Sequence, residues 1–368
     1  STSEGYFLFD GTRYPTGINT PSLINPNLTW EKSTTKNLGF DFTFLQSRLT
    51  FTADIFERKV TDILIPGGKD YPALIGDDDL PFENAGILKT TGFELQAKWS
   101  DKLANGFRYS VGVALSDDKA KVVSYPSNPT NKIGDGVLYK GYTVGDIWGY
   151  VTGGILQEGD FDGVGANGKP LYHGPYFKGG QAYPGYIWYQ DLDHDGVITT
   201  GLNTVDDPGD RKVIGNNAPR YRYNITANFQ YKGFDLDLMF QGVGKRDYWL
   251  SSTSSYWGNG AGSWEVYNNS WTPERTDAKF PMYGSGTGSY AQTGYLLDAS
   301  YIKLKQVILG YTFPRALINK IGLEKLRLNL AAYNLFTISD MPKYYDADYL
   351  SDAYPPKRTF SVGIQVGF

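Results

Sequence analysis

The feature that most constrains this chain is a repeated alternation of apolar and polar residues. It is clearest at the C-terminus, where apolar residues occupy every second position from Phe360 to Phe368. Successive side chains of a β-strand point to opposite faces, so the pattern gives one apolar and one polar face, and it fits helical spacing badly. It predicts a terminal strand within residues 357–368.

The same alternation recurs along the chain and predicts about nine strands. The alternating segments lie at 37–44, 49–55, 93–99, 107–115, 221–231, 234–241, 301–313, 326–331 and 359–368. In the segment 301–313 the apolar residues change from even to odd positions. A β-bulge near Lys305–Gln306 would account for that change of phase.

A soluble β-sandwich also has alternating strands, but the polar faces here are unusually charged and the apolar faces end in aromatic residues. Tyr221 and Tyr223 lie at one end of a single segment, and Phe229 and Tyr231 lie at the other. Aromatic girdles of this kind mark the two interfaces of a membrane. The charged residues on the polar faces include Asp235, Asp237, Arg222 and Arg327.

The connections between the segments alternate in length, which favours a membrane barrel over a sandwich. Bacterial outer-membrane barrels have short periplasmic turns and long outer loops. The short connections are 46–47, 100–106, 232–233 and 314–325, and the long ones are about 61–86, 117–218, 245–299 and 339–356. We therefore predict an all-β chain, a transmembrane antiparallel β-barrel segment, in which residues 1–34 and 117–218 are extracellular.

Nine strands do not close a bacterial barrel, which normally has an even number of strands. An open sheet would leave two unpaired edges in lipid, where backbone groups have no other partner. We therefore expect the rest of the barrel to come from a preceding segment or from a separate chain.

Composition excludes several other classes of protein. The net charge of −4 and the pI of about 5.4 lack the basic footprint of a nucleic-acid-binding protein. The absence of cysteine excludes a disulfide framework, a thiolate metal site and a cysteine nucleophile. No run of about 18 apolar residues supplies a membrane-spanning helix. The chain has only two histidines, His173 and His194, and the sequence indicates no partner residue with which either would form a catalytic site.

One acidic segment has the spacing of a cation-binding loop. Asp191, Asp193 and Asp195 occupy positions 1, 3 and 5 of an EF-hand-like loop, and the carbonyl of Val197 would supply position 7. Carboxylates at this spacing converge as hard oxygen ligands, which suit Ca²⁺ or Mg²⁺. The alternative is an acidic, solvated turn stabilised by hydrogen bonds from aspartate to backbone.

The acidic segment departs from an EF-hand at position 12, where Leu202 replaces the usual acid. An aspartate further on, at Asp206, Asp207 or Asp210, would close the site after a short insertion, and we choose Asp210. No pair of helices flanks the segment, so the predicted cation would clip a loop in place.

Several strings, taken together and in order, resemble the C-terminal part of SusC/RagA-like TonB-dependent transporters. They are found at Asn25–Gly39, Asn84–Leu95, Gly141–Gln157, Tyr189–Ile198, Asp210–Asn216, Ala299–Pro314, Ala331–Thr337 and the terminal strand. One departure is Thr143, where the family pattern has proline. The resemblance implies the last nine strands of a barrel of about 22 strands in the bacterial outer membrane. It also implies a plug elsewhere in the protein.

The same resemblance implies the function and the partners. A TonB complex would drive import of an oligosaccharide or a peptide, together with a SusD-like lipoprotein on the outer side. The outer surface of the barrel would contact the lipid bilayer and lipopolysaccharide. Two alternatives remain: a soluble or secreted glycan-binding protein with calcium-stabilised loops, and an outer-membrane barrel enzyme. Loop aromatics suited to stacking on cargo or packing on a partner are Trp249, Tyr256, Trp257, Trp264 and Trp271.

Overall fold

A computed structural model describes residues 6–9, 12–15, 25–67, 81–250, 264–343, 345–350 and 356–368. Its main element is one antiparallel sheet of nine strands, and each strand pairs with the strands that precede and follow it in this set. The strands are β1 (Lys32–Phe44), β2 (Leu49–Pro66), β3 (Phe82–Lys102), β4 (Arg108–Ser124), β5 (Arg220–Tyr231), β6 (Phe234–Lys245), β7 (Tyr301–Thr312), β8 (Lys325–Ile338) and β9 (Thr359–Gly367). The predicted fold class and all nine predicted strands are confirmed.

The strand register places the apolar residues of neighbouring strands side by side. One row runs across eight strands through Phe42, Phe51, Ala97, Val113, Ile225, Phe240, Leu304 and Phe336. The adjacent row, on the opposite face, runs through Asp41, Thr52, Gln96, Ala114, Asn224, Gln241, Lys303 and Thr337. Because the side-chain period of a strand is two, this register keeps an apolar and a polar face apart over the whole sheet.

Short turns join the strands at one end of the sheet. Lys232 and Gly233 connect β5 to β6 with φ angles of 46° and 88°. Two positive φ angles in a two-residue loop belong to a type I′ turn, whose twist matches that of the hairpin strands. The turns after β1 and β3 lie at the same end, and long segments join the strands at the other end. The predicted alternation of short and long connections is confirmed.

The predicted bulge in β7 is present at Lys305. Leu304 pairs with Phe240 of β6, and Gln306 pairs with the adjacent residue Met239, so Lys305 has no opposite residue. The extra residue shifts the phase of the strand, as the sequence pattern requires. On the other side of β7 the register to β8 shifts at the same place.

The strands extend further toward the long loops than predicted, so four predicted boundaries need correction. Residues 61–66 belong to β2, residues 82–86 belong to β3, residues 117–124 belong to β4, and residues 32–34 belong to β1. At these ends the positions in line with the apolar face hold lysine, glutamate and threonine, for example Glu57 and Lys59. Backbone pairing therefore continues where the apolar alternation has stopped.

The long segments fold into short elements outside the sheet. Their short strands are Asp146–Tyr150, Thr152–Ile155, Phe161–Val164, Pro170–Tyr172, Tyr176–Phe177, Ile187–Tyr189, Val197–Ile198, Arg211–Asn216, Asp247–Tyr248 and Leu297–Asp298, and Tyr6–Phe9 pairs with Thr12–Pro15. The long segments also contain the helix α1 (Trp264–Asn268) and 3₁₀ turns at Glu158–Asp160, Thr287–Ser289 and Thr293–Tyr295. The helix α2 (Arg315–Ile318) and a 3₁₀ turn at Asn319–Ile321 lie in the short connection between β7 and β8. In the described part of the chain, none of these helices has the length and apolar character needed to cross a membrane.

The long segments share one buried hydrophobic cluster, and we call the residues 125–219, 246–250, 264–300, 339–343 and 345–350 the outer loop assembly. The cluster contains Tyr150, Ile187, Tyr189, Ile198, Leu250, Val266, Phe280 and Tyr295. A second cluster attaches the assembly to β6 and β7 through Val243, Ala299, Tyr301, Met341 and Ala347. The interior of the molecule therefore lies among the loops, at one end of the sheet.

Candidate functional site

The acidic segment forms a tight loop on the outer loop assembly. The strand Ile187–Tyr189 leads into it and the strand Val197–Ile198 leads out of it, and both strands are anchored by almost fully buried side chains. His194 and Gly196 have φ angles of 63° and 86°, which turn the backbone back on itself. The loop is therefore fixed at both ends by the hydrophobic core beneath it.

Three of the predicted site residues come together in this loop. One carboxylate oxygen from each of Asp191, Asp193 and Asp195 lies within 4.8 Å of the others. The carboxylate of Asp191 accepts hydrogen bonds from the backbone N–H groups of His194 at 2.7 Å and Gly196 at 2.8 Å. The carboxylate of Asp195 accepts from Val197 N–H at 2.8 Å. These bonds hold the carboxylates together and are also those of the alternative acidic turn.

The electrostatics of the cluster differ between its members. Desolvation raises the pKa of Asp193, and the neighbouring carboxylates of Asp210 and Asp195 raise it further. Desolvation also acts to raise the pKa of Asp191, but the donated backbone N–H groups outweigh it and the pKa lies below the ordinary value. A bound cation would relieve the mutual repulsion that Asp193 experiences.

Asp210 has a different position from the three clustered aspartates. Its side chain is fully buried, and its two carboxylate oxygens accept hydrogen bonds from the N–H groups of Leu192 and Thr199, each at 2.7 Å. These two amides lie on either side of the acidic loop, so Asp210 closes the base of the loop. The structure places Val197 in a parallel pair with Tyr176, next to the same base.

The aromatic residues singled out in the sequence divide into packed and exposed groups. Trp271 is buried, and its indole N–H donates to Gln157 Oε1 at 2.9 Å. Trp249 packs against the main buried cluster. Trp264 is 77% exposed and contacts Tyr267 at one end of α1. Tyr256 and Trp257 lie outside the described residues.

An aromatic residue that the sequence pattern did not single out lies on the surface of the assembly. Tyr290 is 47% exposed, and its ring lies 5.0 Å from that of Phe177 and 5.9 Å from that of Tyr150. Below it, burial raises the pKa of Tyr189 above the ordinary value of tyrosine. A partly exposed ring on a rigid aromatic base is suited to stacking on a flat or apolar group of a ligand.

The polar face of the sheet carries paired charges. Asp235 of β6 forms an ion pair with Arg327 of β8, and Asp237 of β6 accepts a hydrogen bond from Asn228 of β5. The sequence predicted that these two aspartates face the lumen as solvated groups, and the structure gives them side-chain partners across the strands. Nearer the loops, Arg222 pairs with Asp118 on the same face.

A buried charged cluster joins the nine-stranded sheet, which we call the wall, to the last long segment. The side chain of Lys303 in β7 is 1% exposed, and its ammonium group lies 2.8 Å from Asp346 and 3.2 Å from Asp348. Lys305 approaches Asp348 at 2.9 Å, and Tyr301 donates to the same carboxylate at 2.7 Å. The sequence pattern missed this cluster, because its members lie more than 40 residues apart.

This arrangement defines a class of protein. A nine-stranded antiparallel sheet with one apolar and one polar face, short turns at one end and folded loops at the other, is part of a β-barrel of the bacterial outer membrane. The comparison with known families is specific. The chain belongs to the TonB-dependent receptor-like β-barrel family, which matches residues 1–335.

Two curated relatives agree with this assignment. TonB-dependent receptor P3 of Formosa agariphila is 28% identical over 97% of this chain and 36% of its own length. TonB-dependent receptor SusC of Bacteroides thetaiotaomicron is 27% identical over 98% of this chain and 34% of its own length. The chain therefore spans about a third of the length of these relatives.

Solved structures with this fold include the RagAB peptide transporter, which is 19% identical to this chain with a TM-score of 0.69. The match covers 99% of this chain and 38% of that one. The open state of the RagAB peptide importer gives a TM-score of 0.70 at 22% identity, over 94% and 35% of the two chains. The barrel interpretation and the SusC/RagA resemblance are confirmed. The family consists of transporters, which disfavours the enzyme alternative.

Proposed function

We propose that this chain forms the C-terminal part of an outer-membrane TonB-dependent importer of a nutrient. The observation that carries the proposal is the combination of a polar, charged inner wall with a folded loop assembly at one end, in a chain of this family. An inner wall with fixed charges suits a water-filled path or a plug, and packed loops at its mouth suit recognition. The chain itself carries out no covalent chemistry.

The cargo is an oligosaccharide or a peptide that is captured at the outer loop assembly. Tyr290 supports either, because an exposed ring stacks on a sugar face or on an apolar side chain. RagAB is a peptide transporter, which supports the peptide, whereas the oligosaccharide rests on the sequence resemblance to SusC-like transporters.

A SusD-like lipoprotein covers the outer loop assembly in this proposal. Exposed aromatic residues around α1 support a protein contact, since Trp264 and Tyr267 are 77% and 58% exposed and their rings lie 5.9 Å apart. Aromatic residues are enriched at the centres of protein interfaces. The TonB complex would act on a part of the protein other than this wall.

Growth assays on the full-length protein test the proposal. A deletion strain complemented with the intact gene is expected to grow on one class of cargo as sole nutrient, and to lose that growth when TonB is absent. A Tyr290→Ala variant is expected to raise the cargo concentration needed for half-maximal growth, whereas Tyr183→Ala, which changes another tyrosine of the same assembly, serves as the control. Equal growth of the deletion and complemented strains on every glycan and peptide supplied would contradict import.

We also propose that the acidic loop holds a divalent cation, Ca²⁺ or Mg²⁺. The donor set fits, because three carboxylates converge on one point and hard cations prefer oxygen ligands. Asp191, Asp193 and Asp195 would supply side-chain oxygens and Val197 would supply its carbonyl. Asp210 is predicted to contribute by fixing the base of the loop or by direct ligation.

Calorimetric titration of the detergent-solubilised full-length protein with CaCl₂ tests the cation. Saturable binding is expected for the wild type, and a loss of binding is expected for the double variant D191N/D193N. The control is Asp162→Asn, which removes an exposed acid elsewhere in the assembly. Identical titrations of wild type and double variant would show that the loop is an acidic turn without a cation.

A further inference from the structure

The outer face of strands β1 to β4 carries a patch of lysines just above its apolar part. In β1 the side chains of Leu38, Phe40 and Phe42 share one face, and Lys36 follows two residues further toward the long loops. The alternation of side chains along the four strands places five lysines on that same face: Lys36, Lys59, Lys89, Lys119 and Lys121. We call these five residues the lysine patch.

The register places the members of the patch side by side. Lys59 of β2 pairs with Lys89 of β3, and Lys89 pairs with Lys121 of β4. Directly opposed side chains on neighbouring strands have Cβ atoms about 5 Å apart, and like charges in such pairs are destabilising. Two acids lie at positions of the same face. Glu57 forms an ion pair of 2.8 Å with Lys89 and interacts electrostatically with Lys36 and Lys59, whereas Asp117 is buried and is neutralised by an ion pair with Arg220. Five lysines and one glutamate leave the patch strongly basic.

The height of the patch coincides with the edge of the membrane. Leu49 and Trp99 pair beside the short turns, and Lys59 and Lys89 pair ten residues further along the same two strands. At about 3.3 Å per residue and a strand tilt of about 40°, ten residues rise about 25 Å, which is the height of the apolar band of an outer-membrane barrel. The lysines therefore lie where hydrocarbon ends and the headgroups of the outer leaflet begin.

We infer that the lysine patch binds the phosphate groups of an anionic glycolipid in the outer leaflet. The ligand follows from the chemistry: clustered ammonium groups need an anion, and phosphates are the fixed anions at this depth of an outer membrane. Lysine stems run along apolar surface and carry the charge outward, so the patch reaches headgroups from the last apolar row. The inference rests on the proposed orientation, in which the long loops face outward.

Lipid retention by the purified full-length protein tests the inference. The protein is purified from outer membranes in detergent, and the bound phosphate-bearing glycolipid is quantified by native mass spectrometry. Each surface lysine near an anionic headgroup contributes about a fivefold factor in binding, so the triple variant K59Q/K89Q/K121Q is expected to retain at least tenfold less glycolipid. The charge-preserving variant K59R/K89R/K121R is expected to retain it.

The matched control removes the same number of charges from positions away from the patch. K98Q/K102Q/K232Q changes lysines on the inner face of β3 or at a short turn, and retention is expected to equal that of wild type. Equal retention by wild type and K59Q/K89Q/K121Q would overturn the inference. The gel shift between unheated and boiled samples separates the two proposals: a wild type without that shift contradicts the barrel, whereas a shifted barrel with lysine-independent lipid contradicts only the patch.

Discussion

The wall and the outer loop assembly bury their apolar residues in opposite ways. On β9, Phe360, Val362 and Ile364 are 72%, 77% and 67% exposed. In the outer loop assembly, Ile187 and Phe280 are fully buried. The wall therefore depends on lipid to cover its apolar face, while the loops are held together by a core of the kind found in water-soluble proteins. One chain thus contains two kinds of folding, each matched to its own solvent.

The largest expected effect is a loss of stability in the outer loop assembly that leaves the nine-stranded sheet intact. Phe280→Ala removes a fully buried ring that stacks on Tyr295 with centroids 5.8 Å apart. The cavity and the lost burial should cost the outer loop assembly about 3–5 kcal/mol. Hydrogen exchange should show faster exchange of loop amides, with the barrel still shifted on unheated gels.

Leu330→Ala is the control for the loop core, because Leu330 is 54% exposed on the apolar face of β8. Lipid chains fill the space that the side chain leaves, so the protection of the loop amides should not change. Loss of loop protection in both variants would mean that the sheet and the loops fold as one unit and do not have separate sources of stability.

The next effect tests the wall. Val113 of β4 faces outward midway between Phe107 and Lys119, and the adjacent Ala114 faces inward. Val113→Arg should destabilise the barrel by about 2–4 kcal/mol, as expected for arginine near the bilayer midplane. Ala114→Arg places the same charge one residue away in the aqueous lumen and should cost much less. Urea titrations of the full-length protein in lipid vesicles measure both, and equal losses would contradict the assignment of the faces.

A smaller effect is expected at the base of the acidic loop. Asp210→Asn replaces one carboxylate oxygen by an N–H₂ group that faces a backbone N–H. The loss of a hydrogen bond to a charged acceptor should cost about 1–3 kcal/mol. Exchange of the Leu192 and Thr199 amides reports it, with Asp206→Asn as a control on an exposed acid of the same segment. Unchanged exchange at both amides would show that Asp210 does not close the loop.

The smallest effect at neutral pH is expected for the charged cluster around Asp348, which joins the sheet to the outer loop assembly. Desolvation acts to raise the pKa of Asp348, but Lys305, Tyr301 and Lys303 outweigh it and lower the pKa to about 2. The unfolded value is about 3.9, so this stability is fully present above about pH 4 and is lost as the pH falls toward 2.

Amide exchange of residues 346–350 between pH 5 and pH 2.5 measures this loss. The wild type should lose protection there as the pH falls. An Asp348→Asn variant should be less protected at pH 5 and should change less over the same interval. A wild type without any change of protection would contradict the contribution of the cluster.

The wall could be predicted from sequence because alternation is a local pattern. All nine strands followed from it, and so did the bulge at Lys305, since a shift of phase within one strand is visible in the sequence. The ends of the strands could not be predicted from the alternation. Where β2 and β3 leave the hydrocarbon, Lys59 and Lys89 take the outward positions, and an alternation of apolar with polar residues no longer exists.

The outer loop assembly was predictable only where a motif is local. Spacing alone brought Asp191, Asp193 and Asp195 together, because their loop is only a few residues long. The contact of Lys303 with Asp346 joins residues far apart in the chain, and no periodicity marks it. The same holds for Phe280 and Tyr150, which meet in one cluster from different segments.

A nitroxide scan along β4 tests whether the nine-stranded sheet is a membrane wall with one face in lipid and one face in water. Single cysteines are placed at each position from Arg108 to Leu115 in the full-length protein in lipid vesicles, and this chain contributes no cysteine of its own. We predict that labels at 109, 111, 113 and 115 collide with oxygen dissolved in lipid, and that labels at 108, 110, 112 and 114 collide with a water-soluble nickel reagent. Accessibility to nickel at every position, without a period of two, would contradict a membrane wall.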